Sequence, residues 1–110
     1  MSVIERERTE VVAPQVTEAD LLLHAADLLE EFGWCQGHIG SKELGYFCAV
    51  GALIAAGNDL GVTFLDFVRP VIESFGRPER DVDQWPLATW NDEPDRTKSE
   101  VVTKLRERAA

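Results

Sequence analysis

Cys35 and His38 stand in a C-x-x-H spacing, Cys48 follows further along the chain, and His24 lies upstream. Two thiols and two imidazoles are a donor set that zinc accepts. A thiol beside an imidazole is also the pair a cysteine nucleophile uses. The spacing favours neither chemistry. Structural zinc sites show two tight ligand pairs, and this chain has one. His24 falls between Asp20 and Asp27 on the polar stripe of a helix, where a surface histidine belongs. Cys35 follows a helix C-terminus, whose negative end raises a thiol's pKa. Cys48 opens an apolar stretch and reads as a small buried residue. Nothing in the sequence brings Cys48 and His38 together. The expectation is no metal, no cofactor and no catalytic residue. A small thiol- or metal-dependent enzyme using Cys48 and His38 is the alternative.

Asn91, Asp92, Asp95 and Arg96 form a second polar cluster, next to Trp90. Such a group can line a pocket, but Asx side chains before a helix more often accept amides of their own turn. Pro94 stops any helix entering the cluster. Thr97 and Glu100 have the spacing of a capping box that starts the next helix.

The elements that must position these residues follow from periodicity. Residues 1–15 read as a charged arm and residues 16–110 as one helical domain. Thr17, with Asp20 three residues later, caps a first helix reaching about Phe32, with Gly33 expected as its left-handed stop. Leu21, Leu22, Ala25, Ala26, Leu28, Leu29 and Phe32 form its apolar face. Trp34 to Gly45 carries Gly37, Gly40 and Gly45 and reads as a loop or short irregular hairpin around residues 38–47. A short helix from about Phe47 to Ala56 follows, its small residues, Gly51 among them, allowing another backbone close; Gly57 and Asn58 are expected to end it. Thr63 is expected to cap a third helix reaching Phe75, broken or kinked at Pro70. Residues 77–86 read as a polar loop, Leu87 to Trp90 as one or two turns, and Lys98 to about Arg108 as the last helix. The fold class is mainly α, about four helices in one small domain.

The net charge of −9 argues against direct binding to nucleic acid or anionic lipid, because phosphate contacts need clustered Lys and Arg. The longest apolar run, Phe47 to Ala56, falls well short of the roughly 20 residues that cross a bilayer. No export signal is visible in the alternating charges of the first residues. A cytoplasmic location with reduced thiols is therefore expected. The acids Glu18, Asp20, Asp27, Glu30 and Glu31, together with Asp81 and Asp83, suggest an unneutralised negative surface. Trp85, beside Pro86, is expected to be the most exposed tryptophan and so an interaction anchor. Trp34 and Trp90 are expected in the core, each needing a partner for its indole N–H.

Leu28 to Gly33 followed by Trp34-Cys35-Gln36-Gly37, then Cys48-Ala49-Val50-Gly51-Ala52-Leu53, Trp90-Asn91-Asp92 and Arg96-Thr97-Lys98-Ser99-Glu100-Val101 carry a resemblance. In order and spacing they resemble a family of short, uncharacterised actinobacterial and actinophage proteins, over roughly residues 20 to 108. The resemblance implies a bacterial or phage source and a shared fold. It implies no catalytic residues, because the family has no established activity. Where relatives often carry Thr after the first Trp, this chain has Cys35, which weakens any shared thiol or metal role there. The expected function is a non-enzymatic acidic accessory protein that binds a protein partner through Glu18, Asp20, Asp27, Glu31 and Trp85. Mimicry of nucleic acid toward a basic host protein is a further alternative.

Overall fold

The computed structural model describes residues 15–76 and 85–110. The expected arm up to residue 14, most of the expected polar loop, and Asp81 and Asp83 lie outside the described residues.

Helix α1 (Glu18–Glu31) starts as its sequence demands. The Thr17 hydroxyl accepts the Asp20 amide at 3.0 Å, and the Asp20 carboxylate accepts the Thr17 amide at 3.0 Å. Two of the four unpaired amides that every helix start exposes are thereby satisfied or shielded. The helix buries Leu21, Leu22, Ala25, Ala26, Leu28 and Leu29 and packs mainly on α2 (Ala49–Leu60) and α5 (Lys98–Ala109). It does not stop as expected. Gly33 is not among the glycines with positive φ. Its missing side chain serves packing instead, since a Cβ there would lie 3.0 Å from the Gly45 carbonyl oxygen.

After α1 the chain runs beside its own hairpin. The Phe47 amide donates to the Gly33 carbonyl (3.1 Å) and the Cys35 amide to the Phe47 carbonyl (3.0 Å), a parallel bridge at Trp34. Strands β1 (Gly40–Ser41) and β2 (Tyr46–Phe47) pair antiparallel, Gly40 opposite Phe47 and Ser41 opposite Tyr46. Phe47 is buried and meets Phe32 edge-on, ring centroids 5.8 Å apart.

Helix α2 is the buried centre that its small residues suggested. Its first turn presses on the preceding loop so tightly that a Cβ on Gly51 would overlap the Ile39 carbonyl. The helix is longer than expected. Gly57 and Asn58 continue it, and Gly61, at φ 76°, ends it in the left-handed conformation. Gly57 is glycine because a Cβ there would run into the Val68 side chain.

A π-helical turn (Phe64–Val68) precedes α3 (Arg69–Glu73). The Thr63 carbonyl accepts both the Phe67 and Val68 amides, at 3.1 and 3.2 Å, while its hydroxyl makes no cap hydrogen bond, contrary to expectation. The widened turn just upstream of Pro70 accommodates a ring that an unbroken α-helix would push against the carbonyl four residues earlier. Helix α4 (Pro86–Asn91) leads through a turn into α5, whose start repeats the capping box with Thr97 and Glu100. Val68, Ile72, Leu87, Val101 and Leu105 complete the core.

Candidate functional site

Asn91, the last residue of α4, is fully buried, at 0% exposure, and is the sole buried polar residue among those described. Every hydrogen-bonding position of its amide is used. Oδ1 accepts the Trp34 indole N–H at 2.7 Å and the Ala49 backbone N–H at 3.0 Å. Nδ2 donates to the Cys35 carbonyl at 3.1 Å and to Asp92 Oδ1 at 3.0 Å. A primary amide offers two donors and two acceptor lone pairs, so none is left over. The Asx residue was expected to serve its own turn. It instead ties together three separate segments: the loop after α1, the start of α2 and the end of α4.

Around that hub the Trp34–Gly37 loop is fastened twice more. Gln36 Nε2 donates to the Asn91 and Glu93 carbonyls, at 3.0 and 2.7 Å. The Gly37 amide donates to Asp92 Oδ1 at 3.0 Å. Arg96 holds the following turn, with Nε on the Trp90 carbonyl (2.9 Å) and its guanidinium 3.9 Å from the Trp90 ring centre. Trp34 and Trp90 are both half-buried and packed against the core; the Trp90 ring also meets Lys104 at 4.6 Å, and Trp34 has the indole partner expected of it.

Beside the hub lies a cleft of about 210 Å³, lined by His38, Cys48, Asp92, Trp85, Val50 and Ala88 among others. His38, Cys48 and Asp92 thus share one concave surface, the arrangement that the enzyme alternative requires. The arrangement does not activate a thiol. Burial pushes the Cys35 thiol up to about 11, with the charges of Cys48 and Asp92 adding to it and the His38 backbone opposing. Burial is also the main cause raising Cys48, whose sulfur accepts the Gly51 amide at 3.3 Å as the cap of α2. Cys35 donates to the backbone carbonyl of His38 (3.4 Å), not to its ring. Among the described residues no three Cys, His, Asp or Glu side chains gather closely enough to hold a metal ion.

A larger groove, about 350 Å³, lies between the hairpin and α2, with Phe47, Gly51, Ile54 and Ala55 in its walls and Glu43, Asn58 and Asp59 at its rim. Ile39, which borders both cavities, is 52% exposed, and Leu44 in the hairpin turn is 59% exposed. Neither was singled out by sequence reasoning. The signal was an apolar residue just before Gly40 and another just before Gly45 in an otherwise polar loop. At the groove's edge Asp59 takes Lys42 (2.6 Å) and His24 (2.9 Å), so His24 pairs with α2 and not with its own helix. Those hydrogen bonds, Lys42 first, hold the Asp59 carboxyl below its usual range.

The acidic stripe of α1 is not unneutralised. Asp20 is spent on the helix cap, Asp27 meets Arg106 at 3.4 Å, and Glu30 meets Arg106 and Lys98 at 3.5 and 4.0 Å. Glu18 and Glu31 are exposed. Trp85 is half-buried, as Trp34 and Trp90 are, with its ring 6.3 Å from Phe64, and it lines the smaller cleft. Of the five binding residues expected from sequence, Asp20 holds the helix cap, Asp27 meets Arg106, Glu18 and Glu31 are exposed, and Trp85 lines the smaller cleft.

The chain belongs to a family of unknown function, DUF6197, whose profile matches residues 13–110. No curated protein matches the chain. No solved structure matches it either.

Proposed function

We propose that this protein, of bacterial or phage origin, is a non-enzymatic accessory protein that binds a protein partner through the face where the hairpin meets α2. The observation that carries the reading is the groove itself: an apolar floor beside two large side chains, Ile39 and Leu44, each more than half exposed. Small domains leave such residues uncovered singly, but beside a preformed groove they mark contact surface. Covering both fully would contribute about 1–2 kcal/mol each, scaled from complete burial of such side chains.

The charge around the groove supports a basic partner. Every lysine and arginine among the described residues already holds an anion, a carbonyl or a ring: Lys42, Arg69, Arg96, Lys98, Lys104, Arg106 and Arg108. Glu43 stands at the rim with no hydrogen bond or ion pair among the described residues. Apolar contact then supplies affinity, and the negative rim supplies orientation and encounter rate. The same surface gives direct nucleic-acid binding no footing. Nucleic-acid mimicry gains less support than before, because Asp27 and Glu30 are already matched by cations.

Ala55→Arg fills the groove from a helical position at little helix-propensity cost, and Leu44→Glu places a charge on its flank. Protein captured from bacterial lysate is purified and titrated against native chain and both variants by calorimetry. Saturable binding that both substitutions weaken is the expected result. A failure to recover any saturable binder, or a binder indifferent to both changes, overturns the proposal.

A further inference from the structure

The smaller cleft has a different chemistry from the groove. Asp92 Oδ1 is occupied twice, by the Gly37 amide and by Asn91 Nδ2, each at 3.0 Å. These two bonds fix the plane of the carboxylate. Among the described residues no hydrogen bond or ion pair engages Oδ2. The cleft's other lining is the half-buried Trp85 ring and the apolar surfaces of Val50, Ala88 and Ile39, with His38 and Cys48 as its other titratable groups. Among the described residues no lysine or arginine lines it. A fixed carboxylate oxygen, an aromatic ring and apolar walls are the parts that recognise an organic cation. The carboxylate supplies a charge-assisted hydrogen bond, the ring a cation–π contact, and the walls room for an alkyl stem.

We infer that the Asp92–Trp85 cleft binds the head of an alkylammonium or guanidinium group. At about 210 Å³ the cleft is smaller than the sites that enclose whole drug-sized ligands. It suits one side-chain-sized group: a lysine or arginine of a peptide, or a free amine. The site shares Ile39 with the hairpin groove, while Asp92, Trp85 and Ala88 lie outside the groove's lining.

The test is a titration of the full ¹⁵N-labelled chain followed at the Gly37 amide and the Trp85 indole N–H. The probes are n-butylammonium, N-acetylarginine amide and a short lysine-containing peptide. 1-Butanol and N-acetylcitrulline amide are the uncharged counterparts of the first two. Saturable shifts at Gly37 and Trp85 with the charged probes alone are expected. Tighter binding of the peptide than of butylammonium assigns the natural cation to a protein side chain; equal binding assigns it to a free amine.

Asp92→Asn keeps an Oδ1 acceptor for Gly37 and Asn91, so the loop stays fastened while the charge is removed. It should weaken the charged probes about tenfold or more, the scale of one lost charge-assisted bond. Trp85→Leu gives a second reading from the other wall and should weaken them several-fold. Leu44→Glu should leave the response intact, so failure of the partner face and failure of this site are distinguishable. Equal binding of the neutral probes, unchanged affinity in both Asp92→Asn and Trp85→Leu, or no saturation at Gly37 and Trp85 would overturn the inference.

Discussion

Replacing Asn91 by alanine should damage this fold more than any other single polar-to-alanine change among the described residues. The substitution strands the Ala49 amide, on a residue with 0% exposure, and the Trp34 indole N–H. It also removes the donor to the Cys35 carbonyl. A buried group left without a partner costs about 1–3 kcal/mol. The Ala49 amide has no route to water and sits at the upper end of that range. The Trp34 and Cys35 groups, only partly buried, can recover some hydration. The sum is about 3–5 kcal/mol, a large share of the roughly 5–15 kcal/mol that holds a domain together. Urea unfolding followed by tryptophan fluorescence and far-ultraviolet circular dichroism measures it.

Asn91→Asp separates the two halves of the network. It preserves the acceptor for Trp34 and Ala49 but turns the donor into an oxygen facing the Cys35 carbonyl and Asp92 Oδ1. The buried new carboxyl, beside another carboxylate, has its folded pKa raised. The ionisation penalty is present above that raised value and is relieved as pH falls through it. Asn91→Asp should therefore be less stable than the native chain at pH 7 and recover part of the difference on mild acidification. A loss below about 1 kcal/mol for Asn91→Ala would refute the reasoning, since that is no more than an ordinary surface hydrogen bond.

Gly51→Ala should cost about 2 kcal/mol or more despite its favourable helix propensity, because its Cβ meets a backbone carbonyl that cannot rotate away; calorimetric melting checks it. Neither thiol should react readily with a disulfide reagent in the native chain. A Cys35 value of about 11 leaves roughly one thiolate in a thousand at pH 8. Because folding raises that value from 9.0, the stabilisation it brings is complete below pH 9.0 and is lost as pH rises toward 11, a decline that Cys35→Ser should lessen. Lys42→Met should raise the Asp59 titration midpoint seen by NMR. In the native chain the stabilisation from Asp59 is complete above the usual carboxylate range and lost as pH falls through its lowered value, so the variant should show a shallower acid loss.

The parts of the fold that could be read from the chain are those set within a turn or two of sequence. Both capping boxes involve residues three apart, and both are present. The apolar face of α1, the central placement of α2 and the break before Pro70 follow from periodicity and from a ring that lacks an N–H. Glycine was harder. A glycine answers either a positive φ or a close approach, and nothing local tells these apart. Gly33 and Gly57 were read as helix stops, yet both make room for a neighbour from elsewhere, a hairpin carbonyl and Val68. The pairing of Asp27 on α1 with Arg106 was equally invisible, because the two are 79 residues apart.

The polar hub shows the same limit with more consequence. The one local clue was that a tryptophan in a packed domain needs an acceptor for its indole. The sequence offers several candidates and cannot say that Asn91, 57 residues away, is the one. Once the hub is known, the Trp34 to Gly37 run and the Asn91-Asp92 pair become two sides of one fastening, and folding alone accounts for Trp34, Gln36 and Asn91. Folding does not account in the same way for the second oxygen of Asp92, for Trp85 in the lining of the same cleft, or for Ile39 and Leu44 left open to water. A fold that satisfies every donor and acceptor of a buried amide gains nothing in stability from a charged oxygen at an apolar cleft. These surplus features, and not the cysteine and histidine that first draw notice, are where binding should be sought.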